Sequence, residues 1–318
     1  MIFRLPSDFH LSFRALLVSS REKNNSLKQQ LSIAQKRYSS TSTSFLKELR
    51  QATGASLIDC KYALQESNND LDKAKTWIFE KSKSVAAKIS SRSAKNGLIG
   101  LGISDVAGAL VELNCETDFV ARNKDFQDLV KLQSIAVLQG KSLSSDDITK
   151  VAGKVRENIV IGKTLRLEVN GGVLGSYLHN QIGEGTGTAG GIVSIKTSQP
   201  SEIESVKKIA RALAVHIVGS KPIYISHEQV PMEERIQEEE KILNESAEQL
   251  AGKSEKAKEG LLRGKMQKFY ASRCLLDQSF ILGEFEGTLI KDVLGKNLKI
   301  ESFIRLSLGG DYANCILK

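Results

Sequence analysis

From residue 97 onward the chain writes the same plan twice. Two apolar runs, "GLIGLGIS" and "GALVEL", are joined by Asp105-Val106-Ala107, the spacing of a hairpin, and a helical period follows over about residues 118–139. Then "TLRLEV" and "GVLGSYLH", a Gly-rich turn and "GGIVSIKT" lead into a second helix. Ser201-Glu202-Ile203-Glu204 reads as its capping box, Ile203, Val206, Ala210, Leu213 and Ile217 as its apolar stripe, and Gly219 and Pro222 as its stop. Two strand–strand–helix modules in series predict an α+β core of two related antiparallel-sheet/helix subdomains, at 97–164 and 165–230.

Other segments frame that core. Residues 45–81 read as three short helices. "SFLKELRQATG" has Ser44 as a candidate N-cap and Gly54 as its stop, and Ser56 and Asp59 are spaced like a capping box. Asp70 can cap "LDKAKTWIFEK", where Leu71, Ala74 and Trp77 or Ile78 share a face. A bundle of under forty residues is marginal alone and is expected to lean on a neighbour or partner. Residues 82–96 are basic and without acids, and read as a linker. Residues 231–271 predict a projecting helical hairpin, acidic in its first arm and basic in its second, joined at "AGKS", with Ile236, Leu243, Ala247 and Leu250 facing the second arm. The segment 272–318 is expected to complete the core with two strands around a short helix.

Charge argues about address more than about ligand. The net +8 of the 318 residues is concentrated at the start: residues 1–44 hold seven Lys and Arg against Asp8 and Glu22, a net +5, which leaves +3 for the body. That body is too weakly basic to imply a phosphate-binding surface. The same 44 residues are Ser-rich, acid-poor and seeded with Phe3, Leu5, Phe9, Phe13, Leu16 and Leu17, the composition of a mitochondrial transit peptide. The expected location is therefore the mitochondrial matrix, and no apolar run is long enough to cross a bilayer. Cys60, Cys115, Cys274 and Cys315 are far apart with no CxxC, which suits a reducing compartment and argues against a zinc site.

Enzyme readings fail on context. "ENIVIGKT" (157–164) ends like a phosphate-binding loop, but Glu157 stands where the first Gly belongs and a strand follows where a helix should begin. Gly185, Gly187 and Gly190 match GxGxxG but lead into a strand. His10, His179, His216 and His227 have no ligand spacing, and His216 reads as a packing residue. No cofactor or metal is expected. Lys81, Lys83, Lys88, Arg92 and Lys95 form a basic run, yet no aromatic residues interleave with it as stacking platforms, which argues against direct nucleic-acid binding.

One turn remains. In "LVELNCETDFVARNKDF" (110–126) a strand runs into a helix through Thr117, Asp118, Phe119 and Val120. By pattern, Thr117 or Asp118 caps the helix. Phe119, seven residues before Phe126, falls on a core stripe with Phe126, Leu129, Val130 and Val137.

A resemblance reverses that reading. "LKELRQATGASLIDCKYAL", "ALVELNCETDFVARNKDF", "VLGSYLHN", "AVHIVGSKPIYIS" and "GKMQKFYASRCLLDQSFI" occur in order over about residues 45–310, and together they resemble elongation factor Ts in its mitochondrial form. The resemblance implies a guanine-nucleotide exchange factor for elongation factor Tu that performs no bond chemistry. It implies an N-terminal three-helix bundle like a ubiquitin-associated domain, docking on the partner's G domain, and a core gripping another domain. Arg50, Leu57 and Ile58 match the family's G-domain contacts, Asp118 and Phe119 the acid–aromatic pair that enters near the partner's magnesium, and His179 a partner-facing core histidine. The chain departs from the family at Ser56, Leu57 and Ile58, where Gly and paired Met are usual. It departs again in the lengthened hairpin "NQIGEGTGTAGGIV", and at "ENIVIGKT", which lacks paired basic residues. A ubiquitin-binding adaptor using residues 45–81 and a ribosome- or RNA-associated protein are the competing classes.

Overall fold

The computed structural model describes residues 43–142, 144–169, 171–197, 203–247 and 254–316. The expected transit segment, residues 1–44, lies outside them except for Thr43 and Ser44. So do the first two residues of the capping box at 201–204, most of the "AGKS" joint, and Leu250. The chain folds as two compact units, one ending at Val85 and the other beginning at Ala86.

The first unit is helical. Helices α1 (Thr43–Thr53), α2 (Leu57–Glu66) and α3 (Leu71–Ile89) bury Leu49, Cys60, Ala63, Leu64, Ala74 and Ile78 against one another. Local chemistry sets the boundaries. Gly54 ends α1 with a left-handed φ of 64°, and Ser56 Oγ accepts from Asp59 N at 3.1 Å. Asp70 Oδ1 accepts from Asp72 N and Lys73 N, both at 3.1 Å. Two expectations change. The helix begins at Thr43, so Ser44 is inside its first turn and is not the N-cap. Helix α3 continues to Ile89 through half of the expected linker, because "KSKSVAAKI" contains no Gly or Pro to stop it.

The second unit is an α+β sandwich of two antiparallel four-stranded sheets. The first has order β3-β2-β1-β5 and the second β4-β6-β7-β8, from β1 (Asn96–Ile103), β2 (Ala107–Cys115), β3 (Val160–Glu168), β4 (Val173–His179), β5 (Thr186–Gly187), β6 (Ala189–Thr197), β7 (Leu298–Ser307) and β8 (Tyr312–Ile316). Between the sheets Ile99, Leu110, Leu165, Leu167, Leu178, Ile192, Ile304 and Leu306 form one apolar seam. The outer face of the first sheet sends Leu98, Val111 and Leu113 against α4 (Asp118–Ala121), α5 (Lys124–Leu138) and α6 (Ser145–Val155). The second sheet is covered by α7 (Ile203–Ser220) and the C-terminal segment, around Val193, Ile195, Leu213, Ile217 and Phe303. Strand β2, covered on both faces, is buried almost without a break, Glu112 included. Helix α7 lies so close to β4 that a Cβ at Gly175 would sit 2.1 Å from Ala210 O.

Several expectations yield to tertiary pairing. "TLRLEV" belongs to the first sheet, as β3 beside β2, and not to the second module. The helix expected over 118–139 is broken into α4 and α5 at Arg122 and Asn123, and α6 is an additional helix that the sequence reading did not include. The left-handed stop after α7 is Lys221, φ 51°, while Gly219 is still helical and its missing Cβ leaves room for Ile281. The lengthened Gly-rich hairpin crosses to the first sheet. There β5 pairs Thr186 with Gly100 and Gly187 with Ile99, and Leu101 N donates to Gly185 O at 2.9 Å. At the C-terminal end "SFILGEF" forms only an isolated bridge from Ser279 to Leu289. Helix α10 (Ile290–Leu294) follows it, and the two strands are β7 and β8.

Helices α8 (Met232–Glu245) and α9 (Glu255–Arg273) pack on each other around Ile242, Met266 and Phe269. Ile242 is the buried residue of the first arm. Ile236, Leu243 and Ala247, expected there, are partly or fully exposed, so the apolar stripe is offset by one position. Lys265 Nζ donates to the buried Ser246 Oγ at 2.6 Å.

His216 is buried in α7, with Nε2 2.8 Å from Gln278 Oε1 and its ring edge-on to Phe280, while Nδ1 has no hydrogen-bond partner among the described residues. Burial holds this imidazole below its ordinary value, outweighing the opposite effect of the Gln278 contact. A histidine depressed in this way binds fewer protons folded than unfolded, so stability is lost as pH falls through and below about 6.5. Chemical denaturation between pH 7.5 and 5.5 is expected to show this decline at no more than about 1.4 kcal/mol per pH unit from one proton, with a shallower slope in His216→Asn.

Candidate functional site

The corner between β2 and α4 is built from side chains forty residues apart. Glu157 Oε2 accepts from Glu116 N at 3.1 Å and Thr117 N at 3.0 Å, and its Oε1 accepts from Thr117 Oγ1 at 2.6 Å. Thr117 Oγ1 in turn accepts from Val120 N at 3.3 Å, so Thr117 is the N-cap of α4. The Cys115 thiol donates to Thr117 O at 3.2 Å. Burial first, and the Glu157 carboxylate second, push that thiol up to about 12, which keeps it a protonated donor at neutral pH. The N–H groups of Glu116, Thr117 and Val120 and the Thr117 hydroxyl thus have internal partners before any ligand arrives.

The turn fixed in this way aims its side chains in opposite directions. Val120 and Ala121 are buried against the first sheet and α5, whereas Phe119 is 81% exposed. The core stripe drawn through Phe119 and Phe126 fails because the helix is interrupted. Asn123 has extended backbone angles and its Oδ1 accepts from Asp125 N at 2.8 Å, starting α5 afresh. Phe126, on the new helix, is 0% exposed. Seven residues of continuous helix would have kept the two rings on one face; a break does not. Asp118 is exposed beside Arg122 (Oδ2 to Nε 3.8 Å) and, since Thr117 supplies the cap, contributes charge and not capping.

The other residues singled out by the sequence lie on two further surfaces. In the bundle, Arg50 is exposed in the last turn of α1, and Leu57 and Ile58 are 53% and 66% exposed in the first turn of α2. The Ser56 cap holds that turn, so its apolar side chains face outward from a fixed backbone. Tyr62, one turn after Ile58, extends the same exposed face, and the four-residue spacing was the available signal. In the core, His179 ends β4 in an exposed position, its Nδ1 3.2 Å from Tyr177 Oη, and its carbonyl accepts from Thr188 N at 2.9 Å at the base of the Gly-rich hairpin.

Glu157 is the site residue that sequence reading missed; it registered only as the residue that spoils a phosphate-binding loop. The structure accounts for that stretch without phosphate. Gly162, Lys163 and Thr164 are inside β3, and Lys163 N donates to Glu112 Oε2 at 3.3 Å. Nothing local marks Glu157 as a partner of Thr117.

Loss of the Thr117 hydroxyl leaves Val120 N without its cap and removes one donor from Glu157. Thr117→Val is therefore expected to lower unfolding stability by about 1–3 kcal/mol, and Thr117→Ser to restore most of it, measured by urea denaturation.

The surroundings of this corner match known sequences. A family profile described as "Elongation factor TS" matches residues 116–310, and one described as "Elongation factor Ts, mitochondrial, N-terminal" matches residues 30–86. The chain is similar to proteins named elongation factor Ts from several bacteria. It is 35% identical to that of Beijerinckia indica over 286 residues, 83% of this chain and 90% of that protein. To that of Bartonella henselae it is 35% identical over 285 residues, 83% and 91% of the two chains. The protein of Anaplasma marginale strain Florida is 38% identical over 267 residues, 78% of this chain and 90% of its own. The profile covers more than half the chain and the relatives most of it: the chain belongs to the elongation factor Ts family.

Proposed function

We propose that this chain is the guanine-nucleotide exchange factor of mitochondrial elongation factor Tu, acting in the matrix. Membership of the elongation factor Ts family supports exchange on elongation factor Tu, and the mitochondrial N-terminal profile together with the basic, Ser-rich, acid-poor first 44 residues supports the location. Among the described residues no helix is long and apolar enough to cross a membrane.

The observation that carries the mechanism is Phe119, a large apolar ring almost fully in water on a turn held at Thr117 N and Val120 N by internal hydrogen bonds. A lone exposed Phe is ordinary. A Phe held outward by a cap, a carboxylate and a helix break is a ring prepared for a partner's pocket. Exchange needs no bond chemistry; it is a coupling free energy, so a factor that weakens nucleotide binding is itself weakened by nucleotide to the same degree. In a GTPase the phosphates rest on backbone N–H groups with a bridging magnesium ion. If Phe119 enters a pocket open only when the magnesium side is disturbed, its burial stabilises that disturbed state. Full burial of a Phe is worth about 1.5–3 kcal/mol, or about one to two decades of affinity. Asp118, one residue before it, brings a carboxylate toward the same site, where it opposes the phosphate charge.

One aromatic ring does not supply the whole effect. In this reading Arg50, Leu57 and Ile58 hold the bundle on the partner's G domain, and His179 lies on the part of the core that grips another domain. Such remote contacts convert the wedge into an intramolecular event.

Phe119→Ala is expected to slow release of fluorescent GDP from the GTPase by at least about tenfold while leaving the thermal melt within a few degrees of the parent, because the ring makes little internal packing. Stopped-flow release run beside the melts checks this, and unchanged release defeats the mechanism. A chain trimmed of its first 44 residues is expected to keep exchange in vitro and to lose import into isolated mitochondria; retained import would remove the transit-peptide assignment.

A further inference from the structure

We infer that Glu157 is the positioning residue of the exchange turn, acting through Thr117 to fix the direction in which Phe119 is presented. The inference rests on the reading of Phe119 as the ring that enters the GTPase.

The geometry is a reciprocal clasp between residues 116–117 and 157–158. Glu157 accepts from both backbone N–H groups of the bend and from the Thr117 hydroxyl. In the opposite direction Asn158 N donates to Glu116 Oε1 at 2.7 Å. The buried Asn158 side chain is in turn pinned, its Nδ2 donating to Ser90 O at 3.1 Å and Arg92 O at 2.7 Å. The Arg92 guanidinium lies 3.5 Å from Glu116 Oε1, and Asn96 Nδ2 donates to Glu116 O at 2.7 Å. Glu157 itself is delivered by the end of α6, where Arg156 takes a left-handed φ of 60° and its N donates to Ala152 O at 2.8 Å.

A carboxylate suits this place for a physical reason. The bend presents two N–H donors and one O–H donor to a single point, and an ionised carboxylate is the side chain that only accepts. Its bond to the hydroxyl is the short one, 2.6 Å to Thr117 Oγ1, as a charge-assisted O–H···O contact should be, while the two N–H bonds are of ordinary length. With Glu157 in place the hydroxyl is oriented to accept from Val120 N, so the first turn of α4 and the ring on it are set before the partner binds. Without it the bend is free to rearrange, and part of the ring's binding free energy is spent in ordering it. These bonds also contribute to folding stability, so what separates positioning from stability is whether the loss of exchange depends on the ring being present.

The test is a double-mutant cycle on the full chain, reading release of fluorescent GDP from the GTPase. Glu157→Ala is expected to slow release by about tenfold or more, and Glu157→Gln, which keeps the shape but turns one acceptor into a donor, by less. In the Phe119→Ala background Glu157→Ala is expected to cost no more than about twofold further, because there is no ring left to aim. Hydrogen exchange on the free protein is expected to show faster exchange at Thr117 N and Val120 N in both Glu157 variants, with β1 and α5 unchanged. If Glu157→Ala melts below the assay temperature, the cycle is run with Glu157→Gln. Wild-type release in the Glu157 variants, or a double variant that loses the product of the two single effects, overturns the inference. The underlying reading fails separately: it is lost if Phe119→Ala alone leaves release unchanged, whatever the Glu157 variants do.

Discussion

The apolar seam between two antiparallel sheets is the constraint from which the rest of this core follows. Ile99, Leu110 and Leu165 on one side and Ile192, Ile304 and Leu306 on the other give each sheet one buried face. Each sheet then has a second apolar face that must also be covered, and helices α5 and α7 do this. Burial on both faces explains the Gly positions where helix and strand touch, and β5 from the long hairpin pairs with the β1 edge of the first sheet. The corner at the end of β2 is thereby anchored on the strand side by a fully buried residue, Cys115.

From that anchor the exposed ring is a consequence of small local choices. The bend has two N–H groups and a hydroxyl to satisfy, and Glu157 satisfies them from the far end of α6. Helix α4 is then stopped after one turn, so that the chain can restart at Asn123 and bury Phe126 where Phe119 would otherwise have gone. The ring stands in water on a turn whose start is held by the Thr117 cap and the Glu157 carboxylate. Stability and presentation are here two results of the same hydrogen bonds.

Much of the secondary structure was legible without coordinates, where signals are local. Ser56, Gly54 and Asp70 mark helix ends through contacts no more than a few residues long, and the structure has them in those roles. Strands β1, β2, β4 and β6 were recognisable from apolar runs and flanking turns. What failed was of another kind. The buried stripe of α8 was off by one position, because Ile242 and Leu243 are equally apolar and only the position of Met266 and Phe269 chooses between them. Lys221 takes the left-handed stop that Gly219 was expected to take, since Gly219 is needed for the approach of Ile281.

By itself the sequence determined the class of fold, the family and the identity of the turn, because these reside in short runs whose caps, periods and motifs act over a few residues. Tertiary structure alone decided that β3 pairs with β2, that the Gly-rich hairpin crosses to the first sheet, and that Glu157 reaches Thr117. It also decided which way Phe119 points. The physical reason is common to the first three: each is a hydrogen bond or a packing choice between residues far apart in the chain, decided by which partner the rest of the fold brings within reach. The direction of the ring combines the long-range hold of Glu157 with the local helix break at Asn123.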